Sequence, residues 1–215
     1  MKTSQNALFN LSVGFFALLC LLSGCIRLAS SYPEKRYFLI DISRQEDVSP
    51  PATDDVLRVV TFSVSPQYEG KGFVYRKGDV VYESDFYNEF LISPSDMLTE
   101  EVRQWVARSG LFGQVAGLSS HNEPTLFLGG TVTALYGDFS HVSAPKAIME
   151  MEFVLSRDVS AKGEVAFENR CHREIRLDEA SPQALVKGWN EALRQILTDL
   201  EKDLRDCFQN PLSSG

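Results

Sequence analysis

The sequence lacks the surplus of basic residues that most nucleic-acid-binding proteins carry. Lysine and arginine together number 21, against 29 aspartates and glutamates, and the net charge is -8. Because a phosphate backbone attracts a basic surface, this balance argues against a nucleic-acid partner. With 44% hydrophobic and 23% charged residues among 215, the composition is that of a globular protein, which excludes a disordered or collagen-like chain.

Motifs for catalysis or cofactor binding are also scarce. No glycine-rich phosphate loop is present, because the glycines lack the required spacing between a strand and a helix. The three histidines, His121, His141 and His172, have no second ligand at the spacing of a metal site. We therefore expect a non-enzymatic protein without cofactor or metal. A hydrolase whose acid and base groups converge only in the folded chain is the alternative.

No apolar run is long enough to cross a bilayer as a helix. The most apolar stretch, residues 13–22, has about ten residues and follows Lys2, as the core of a signal peptide does. The next residues, Leu22-Ser23-Gly24-Cys25, resemble the lipobox of bacterial lipoproteins, in which the cysteine thiol is acylated before cleavage. We predict a lipoprotein signal peptide at 1–24 and lipidation of Cys25. An uncleaved short membrane anchor is the alternative.

The residues after Cys25 predict how the protein is attached and where. Several acyl chains on one cysteine give stable anchoring, whereas a single chain binds only marginally. Ile26 stands where an aspartate would be expected to retain a lipoprotein in the inner membrane. We therefore expect an outer-membrane protein, lipid-anchored and facing the oxidising periplasm. Residues 25–35 predict a lipidated tether with a contour of at most about 33 Å.

Cysteine is rare, and the four cysteines have separate fates. Cys20 is lost with the signal peptide and Cys25 is acylated, which leaves Cys171 and Cys207 as a possible disulfide pair. A bridge and two free thiols are equally compatible with the sequence, since it does not show whether the α-carbons approach within about 7 Å. Cys171 and His172 cannot form a catalytic dyad with each other, because adjacent side chains in a strand face opposite sides.

The rest of the chain predicts a single α+β domain over residues 36–210, with a mostly antiparallel sheet and two main helices packed on it. Ser93-Pro94 and Ser181-Pro182 each have the sequence of a capped helix start, and apolar residues at helical spacing follow both. Three long β-rich runs joined by short turns favour an antiparallel meander, and they occupy 125–139, 147–158 and 162–177.

The order of several segments resembles a known family. After the lipobox and tether, the chain has an aromatic strand, a Ser-Pro-Gln-Tyr segment, an apolar-Tyr-Arg step, a second aromatic segment and a capped helix; these are Tyr37-Phe38-Leu39, 65–68, 73–76, 86–90 and 93–112. This order resembles the auxiliary lipoproteins of ABC-type transport systems that work with MCE proteins in lipid traffic between bacterial membranes. The resemblance covers about residues 25 to 205. It departs at Phe90, where tryptophan is expected.

The resemblance implies an auxiliary or docking component of an MCE-type ABC lipid transport system. Its partners would be a periplasmic MCE protein and the ABC transporter, with phospholipid as a candidate ligand and a homo-oligomer as a candidate assembly. Tyr75 and Arg76 are the candidate partner contacts; alternatively, Tyr75 packs in the core and Arg76 pairs with a surface acid. The alternative function is that of a general envelope-assembly or secretion lipoprotein that binds a protein partner.

Overall fold

The computed structural model describes residues 33–44, 51–117, 122–141, 143–157 and 165–209. The predicted signal peptide and Cys25 lie outside the described residues. Lys35–Gly215 forms one compact unit. Its described elements, in chain order, are β1 (Arg36–Phe38), β2 (Thr53–Val59), β3 (Ser63–Val64), a 3-10 helix (Pro66–Tyr68), β4 (Gly72–Arg76), β5 (Tyr82–Phe90), α1 (Pro94–Arg108), β6 (Phe112–Val115), β7 (Leu126–Asp138), β8 (Lys146–Ser156), β9 (Val165–Arg176) and α2 (Pro182–Gln209).

The nine described strands form one mixed sheet. Strands β7, β8 and β9 make the long antiparallel meander that the sequence predicts. The shorter strands join differently: β2, β3 and β4 run parallel to β7, β6 runs parallel to β2, and β1 runs parallel to β5. Strand β5 pairs with β4 as an antiparallel hairpin. The predicted α+β class with two main helices is confirmed, and the sheet around the meander is mixed.

Both helices begin as their sequences predict. The Ser93 hydroxyl accepts a hydrogen bond from the Asp96 amide at 3.1 Å, and Pro94 fills the first turn of α1. The Ser181 hydroxyl accepts from the Ala184 amide at 3.2 Å at the start of α2. Gly110, with a φ of 64°, lies just beyond the end of α1 in a conformation that favours glycine.

Helix α2 covers the inner face of the sheet. Trp189 is fully buried, and its ring lies 5.1 Å from the Phe73 ring and 5.4 Å from the Phe90 ring, measured between centroids. The Trp189 indole N–H donates to the Ile148 carbonyl at 3.2 Å, so the polar atom of this large side chain is satisfied. A Cβ at Gly188 would meet the Ala147 Cβ at 2.6 Å, and glycine therefore allows the helix to approach β8 closely.

The strand alternation gives the sheet an inner face and an outer face. Phe38, Phe73 and Phe90 point inward and contact one another beneath α2. Tyr37 is paired with Glu89 in the register of β1 and β5, and both side chains therefore point outward. The side chains on the outer face differ in chemistry between the β1 end and the β9 end of the sheet.

Candidate functional site

Tyr75 lies in the core. It belongs to the inner face of β4, only 8% of it is exposed, and its ring stacks on Phe139 at a centroid distance of 5.1 Å. Its hydroxyl donates to Asp85 Oδ2 at 2.8 Å. Burial raises the pKa of Tyr75, and the hydrogen bond to Asp85 raises it further. The structure thus corrects the partner-contact interpretation for Tyr75 and supports the alternative of core packing.

The Asp85 carboxylate holds a bulge in β5. It accepts hydrogen bonds from the Tyr87 amide at 2.8 Å, the Asn88 amide at 3.0 Å and the Asn88 side-chain amide at 2.6 Å. Burial raises the pKa of Asp85, but the hydrogen bonds from Asn88, Tyr75 and the Tyr87 amide outweigh it and hold that pKa below its ordinary value. Because all these bonds are structural, Asp85 is an ionised anchor for the strand.

The bulge explains why residue 72 is a glycine and why two aromatic side chains are exposed. Between the pairs Gly72–Glu89 and Val74–Ser84 the register shifts, so β5 accommodates extra residues opposite β4. A Cβ at Gly72 would meet the Asp85 carbonyl oxygen at 2.7 Å, so glycine is required for this close approach. Phe86 and Tyr87 lie on the bulge and are exposed, with ring centroids 5.3 Å apart.

Arg76 is on the outer face and has partners on its own chain. Its Nε donates to the Gly78 carbonyl at 3.0 Å, and its guanidinium lies 3.5 Å from the Asp138 carboxylate. A hydrogen bond with Tyr136 and the charge of Asp138 raise the pKa of Arg76. The side chain is 31% exposed, so Arg76 pairs with an acid and still presents part of its surface to solvent.

A cavity of about 510 Å³ lies beside Tyr75 and includes Arg36, Lys77 and Ser140 in its lining. The Lys77 ammonium is 5.3 Å from the ring centroids of both Tyr75 and Phe139. The carboxylate in this cavity, Asp85, already accepts four hydrogen bonds. The arrangement therefore offers cationic and aromatic surface but no carboxylate free to act as a general base.

Cys171 and Cys207 are free thiols, and the disulfide that the sequence allowed is not formed. The Cys207 thiol lies 3.8 Å from the Ala166 carbonyl oxygen, whereas Cys171 is five residues further along β9. A strand rises about 3.3 Å per residue, which puts Cys171 roughly 16 Å from Ala166. Since bridged cysteines need α-carbons within about 7 Å, the two residues are too far apart to bond. Burial raises the pKa of the Cys171 thiol, as expected for an unreactive core cysteine.

Exposed apolar side chains gather at the β1 and β5 end of the outer face. Tyr37 is 56% exposed, Phe86 65% and Leu91 49%, and Leu39 and Tyr87 are also exposed. We call these five residues the aromatic edge. The Lys35 ammonium lies 4.2 Å from the Phe86 ring centroid and bridges to the Glu89 carboxylate. The Lys71 ammonium donates to the Leu91 carbonyl at 3.0 Å. The edge is thus apolar with a lysine on either side.

The opposite end of the outer face is a network of paired charges on β8 and β9. We call it the charge ladder; it consists of Lys146, Glu150, Arg170, His172 and Glu174. Glu150 accepts from Arg170 at 2.6 Å and lies 3.1 Å from the His172 ring, while Lys146 bridges to Glu174 at 2.6 Å. Burial raises the pKa of Glu150, but hydrogen bonds from Thr133 and Arg170 outweigh it and lower that pKa.

The aromatic edge does not follow from the sequence patterns described above. One signal for it was available, because Phe86 and Tyr87 are adjacent in a β-rich segment and neighbouring side chains in a regular strand face opposite sides. At least one of the two aromatic rings would therefore be expected on the outer face. The bulge, which exposes both, depends on the Asp85 hydrogen bonds and on the pairing register of β4 with β5, and that register is visible only in the folded chain.

Within the described ranges, no cluster of three or more histidine, cysteine, aspartate or glutamate side chains could hold a metal ion. Among the helices that the structure describes, none is long and apolar enough to cross a membrane.

Comparison with known proteins gives a fold likeness and no family. No family model matches the chain, and no curated protein matches it. A solved structure of a Xanthomonas campestris protein of family DUF330 matches with a TM-score of 0.68 and 16% identity, covering 82% of this chain and 96% of that one. A solved structure of an uncharacterized protein matches with a TM-score of 0.64 and 17% identity, covering 80% and 99%. The chain therefore shares the fold of these two proteins over most of its length.

Proposed function

We propose that this protein is a non-enzymatic lipoprotein of the outer membrane that faces the periplasm and docks an MCE-type ABC lipid transport system. The lipobox at Leu22-Ser23-Gly24-Cys25 supports the anchor and its compartment. The order of segments that resembles the auxiliary lipoproteins supports the transport role.

The observation that carries the proposal is the placement of those segments. The aromatic strand, the apolar-Tyr-Arg step and the second aromatic segment become β1, β4 and β5, which are neighbours at one end of the sheet. That end also presents the β4–β5 hairpin, in which Val80 and Val81 are exposed, whereas the other end carries paired charges. A docking protein needs an exposed surface that differs from its solvated surroundings, and this end of the sheet provides one.

The partner contact on the protein side is assigned to Arg76 and the hairpin tip next to it. Tyr75 is withdrawn from this role because its side chain is buried against Phe139. Val80, at the tip of the β4–β5 hairpin, is 87% exposed, which is the largest fraction among the exposed large hydrophobic residues described. Arg76 lies in the same hairpin, with its backbone paired to Tyr82.

Affinity capture of the native lipoprotein tests the proposal. We expect wild type to recover an MCE protein or an ABC transport component, and the Arg76→Ala, Val80→Asp double variant to recover much less. Val165→Asp is the matched control, because Val165 is 49% exposed on β9, away from the hairpin. Wild type that recovers envelope-assembly or secretion proteins and no transport component would contradict the transport role and favour the alternative function. Equal recovery by the variant would remove only the hairpin from the interface.

A further inference from the structure

We propose that the aromatic edge rests on the lipid surface into which the acyl chains of Cys25 insert. This inference depends on the lipid anchor of the proposed function, and it does not depend on the transport partner. It assigns a role to exposed side chains whose outward surfaces are not part of the hydrophobic core, namely Tyr37, Leu39, Phe86, Tyr87 and Leu91.

The chemistry of the edge suits the boundary between lipid and water. Tyr37 and Tyr87 combine an apolar ring with a polar hydroxyl, and such side chains concentrate where one end is apolar and the other is hydrated. Leu39, Leu91 and Phe86 add purely apolar surface. Apolar side chains that are grouped on a solvent-exposed face mark an interaction surface, whereas single exposed apolar side chains need no explanation.

The position of the edge in the chain brings it to the membrane. Lys35 is ten residues after Cys25, and β1 begins at the next residue. A flexible chain of ten residues has a root-mean-square span of roughly 17 Å. Such a short link keeps the surface around β1 close to the bilayer. Strand β9 is five strand spacings away across the sheet, or about 24 Å, so its charge ladder is remote from the attachment point.

The charged groups beside the edge are paired or positive, although the chain as a whole is acidic. Lys35 and Lys71 flank the apolar side chains, and the carboxylate among them, Glu89, is paired with Lys35. The Lys35 ammonium lies over the Phe86 ring and is bound to Glu89, so it covers apolar surface without adding an unpaired carboxylate beside the edge. Glu89 offsets the charge of Lys35, whereas Lys71 is bound to a neutral carbonyl and keeps a positive charge that can attract an anionic headgroup.

The backbone of β1 limits how deeply the edge can insert. In the described part of the chain, β1 has a neighbouring strand on one side only. Unpaired backbone groups are costly in the hydrocarbon core, but the hydrated headgroup region supplies hydrogen-bond partners for them. We therefore place the edge at the headgroup level, like an interfacial element.

Tryptophan quenching in vesicles tests the proposal. Mature lipoprotein carrying Tyr37→Trp is reconstituted into phosphatidylethanolamine and phosphatidylglycerol vesicles whose acyl chains are brominated. We expect the emission added by Tyr37→Trp to be strongly quenched, because bromine quenches only nearby indoles. Val165→Trp is the matched control, with a similarly exposed position on β9, and its added emission is expected to stay unchanged. Trp105 and Trp189 are buried and give the same background in both variants.

A second variant, Phe86→Trp, guards against local misfolding at Tyr37, and circular dichroism checks both proteins. If the emission of the Tyr37→Trp and Phe86→Trp variants is the same in brominated and unbrominated vesicles, as is expected for the control variant, the proposal is overturned. Cross-linking of two chains through the edge, without quenching, would assign this surface to a second copy and overturn it as well. Protein that does not float with vesicles contradicts both the anchor and this inference. Floating protein without quenching contradicts the inference alone.

Discussion

The two ends of the outer face of the sheet are built from similar strands and have opposite chemistry. At the β8 and β9 end, the charges of Glu150, Arg170, Lys146 and Glu174 pair with one another, and this surface is complete in water. At the β1 and β5 end, aromatic and aliphatic side chains stand exposed between lysines. Because the inner face is covered by α2, the difference is confined to the outer face. One exposed sheet face can therefore have paired charges suited to water at one end and an apolar surface suited to a partner at the other.

Removal of the lipid anchor is expected to have the largest effect on this comparison. Cys25→Ala deprives the lipid-specific peptidase of an acylated thiol, so we expect the precursor to keep its signal peptide and not to reach the outer membrane, where the aromatic edge would meet lipid. Mass spectrometry of the purified protein measures both the missing acyl groups and the uncleaved residues. Normal maturation and outer-membrane fractionation of the variant would contradict the lipoprotein interpretation.

A pair of substitutions separates the inner from the outer side of the aromatic end. Phe90→Ala leaves a cavity against Phe73 and Trp189, and we expect it to lower the free energy of unfolding by about 3–5 kcal/mol. Tyr37→Ser changes only an exposed side chain and is expected to stay within about 0.5 kcal/mol of wild type. Denaturant unfolding followed by circular dichroism measures both. A large loss for Tyr37→Ser would show that the edge is part of the core.

Acid titration examines the charge ladder. The lowered pKa values of Glu150 and Glu174 mean that their contribution to stability is present above 4.5, the ordinary pKa of glutamate, and is lost as the pH falls through the lowered values. We expect Glu150→Gln to reduce stability at neutral pH by about 0.2–1 kcal/mol, since these charges are partly exposed, and to weaken the loss of stability in acid. The measurement is denaturant unfolding across that pH range.

The matched control for the ladder is Glu168→Gln, on the same outer face of β9. Its unfolding free energy is expected to follow wild type more closely than that of Glu150→Gln at each pH. If the two variants have identical pH profiles, the pairing of Glu150 with Arg170 contributes nothing measurable.

The smallest expected effect concerns the cysteines of β9 and α2. Cys207→Ser should change the free energy of unfolding by less than about 0.5 kcal/mol, because the thiol makes only a long contact with the Ala166 carbonyl and forms no bridge. Alkylation of the denatured, unreduced protein should label both Cys171 and Cys207. Failure to label them before reduction would show a disulfide and contradict the separation along β9.

The sequence by itself predicted the elements whose causes are local. The Ser-Pro starts of α1 and α2 are read from capping chemistry, and the β7–β9 runs from their length and β-rich composition. The parallel pairings of β2, β3 and β4 with β7 were not predicted, because the period of a strand does not identify its partner. For the same reason the sequence left the distance between Cys171 and Cys207 open.

The residues of the candidate site also separate into those that the sequence predicts and those that only the folded structure places. The thiol chemistry of Cys25 is a property of a short linear motif, and the sequence is sufficient to predict it. Whether Tyr75 faces a partner or the core was decided only by the register of β4 with β5, which carries Asp85, and by the approach of Phe139, which is remote in sequence. The exposure of Phe86 and Tyr87 likewise depends on a bulge held by Asp85. Local patterns fix which side chains are available, and tertiary contacts decide which of them remain at the surface, because burial depends on neighbours that no local pattern contains.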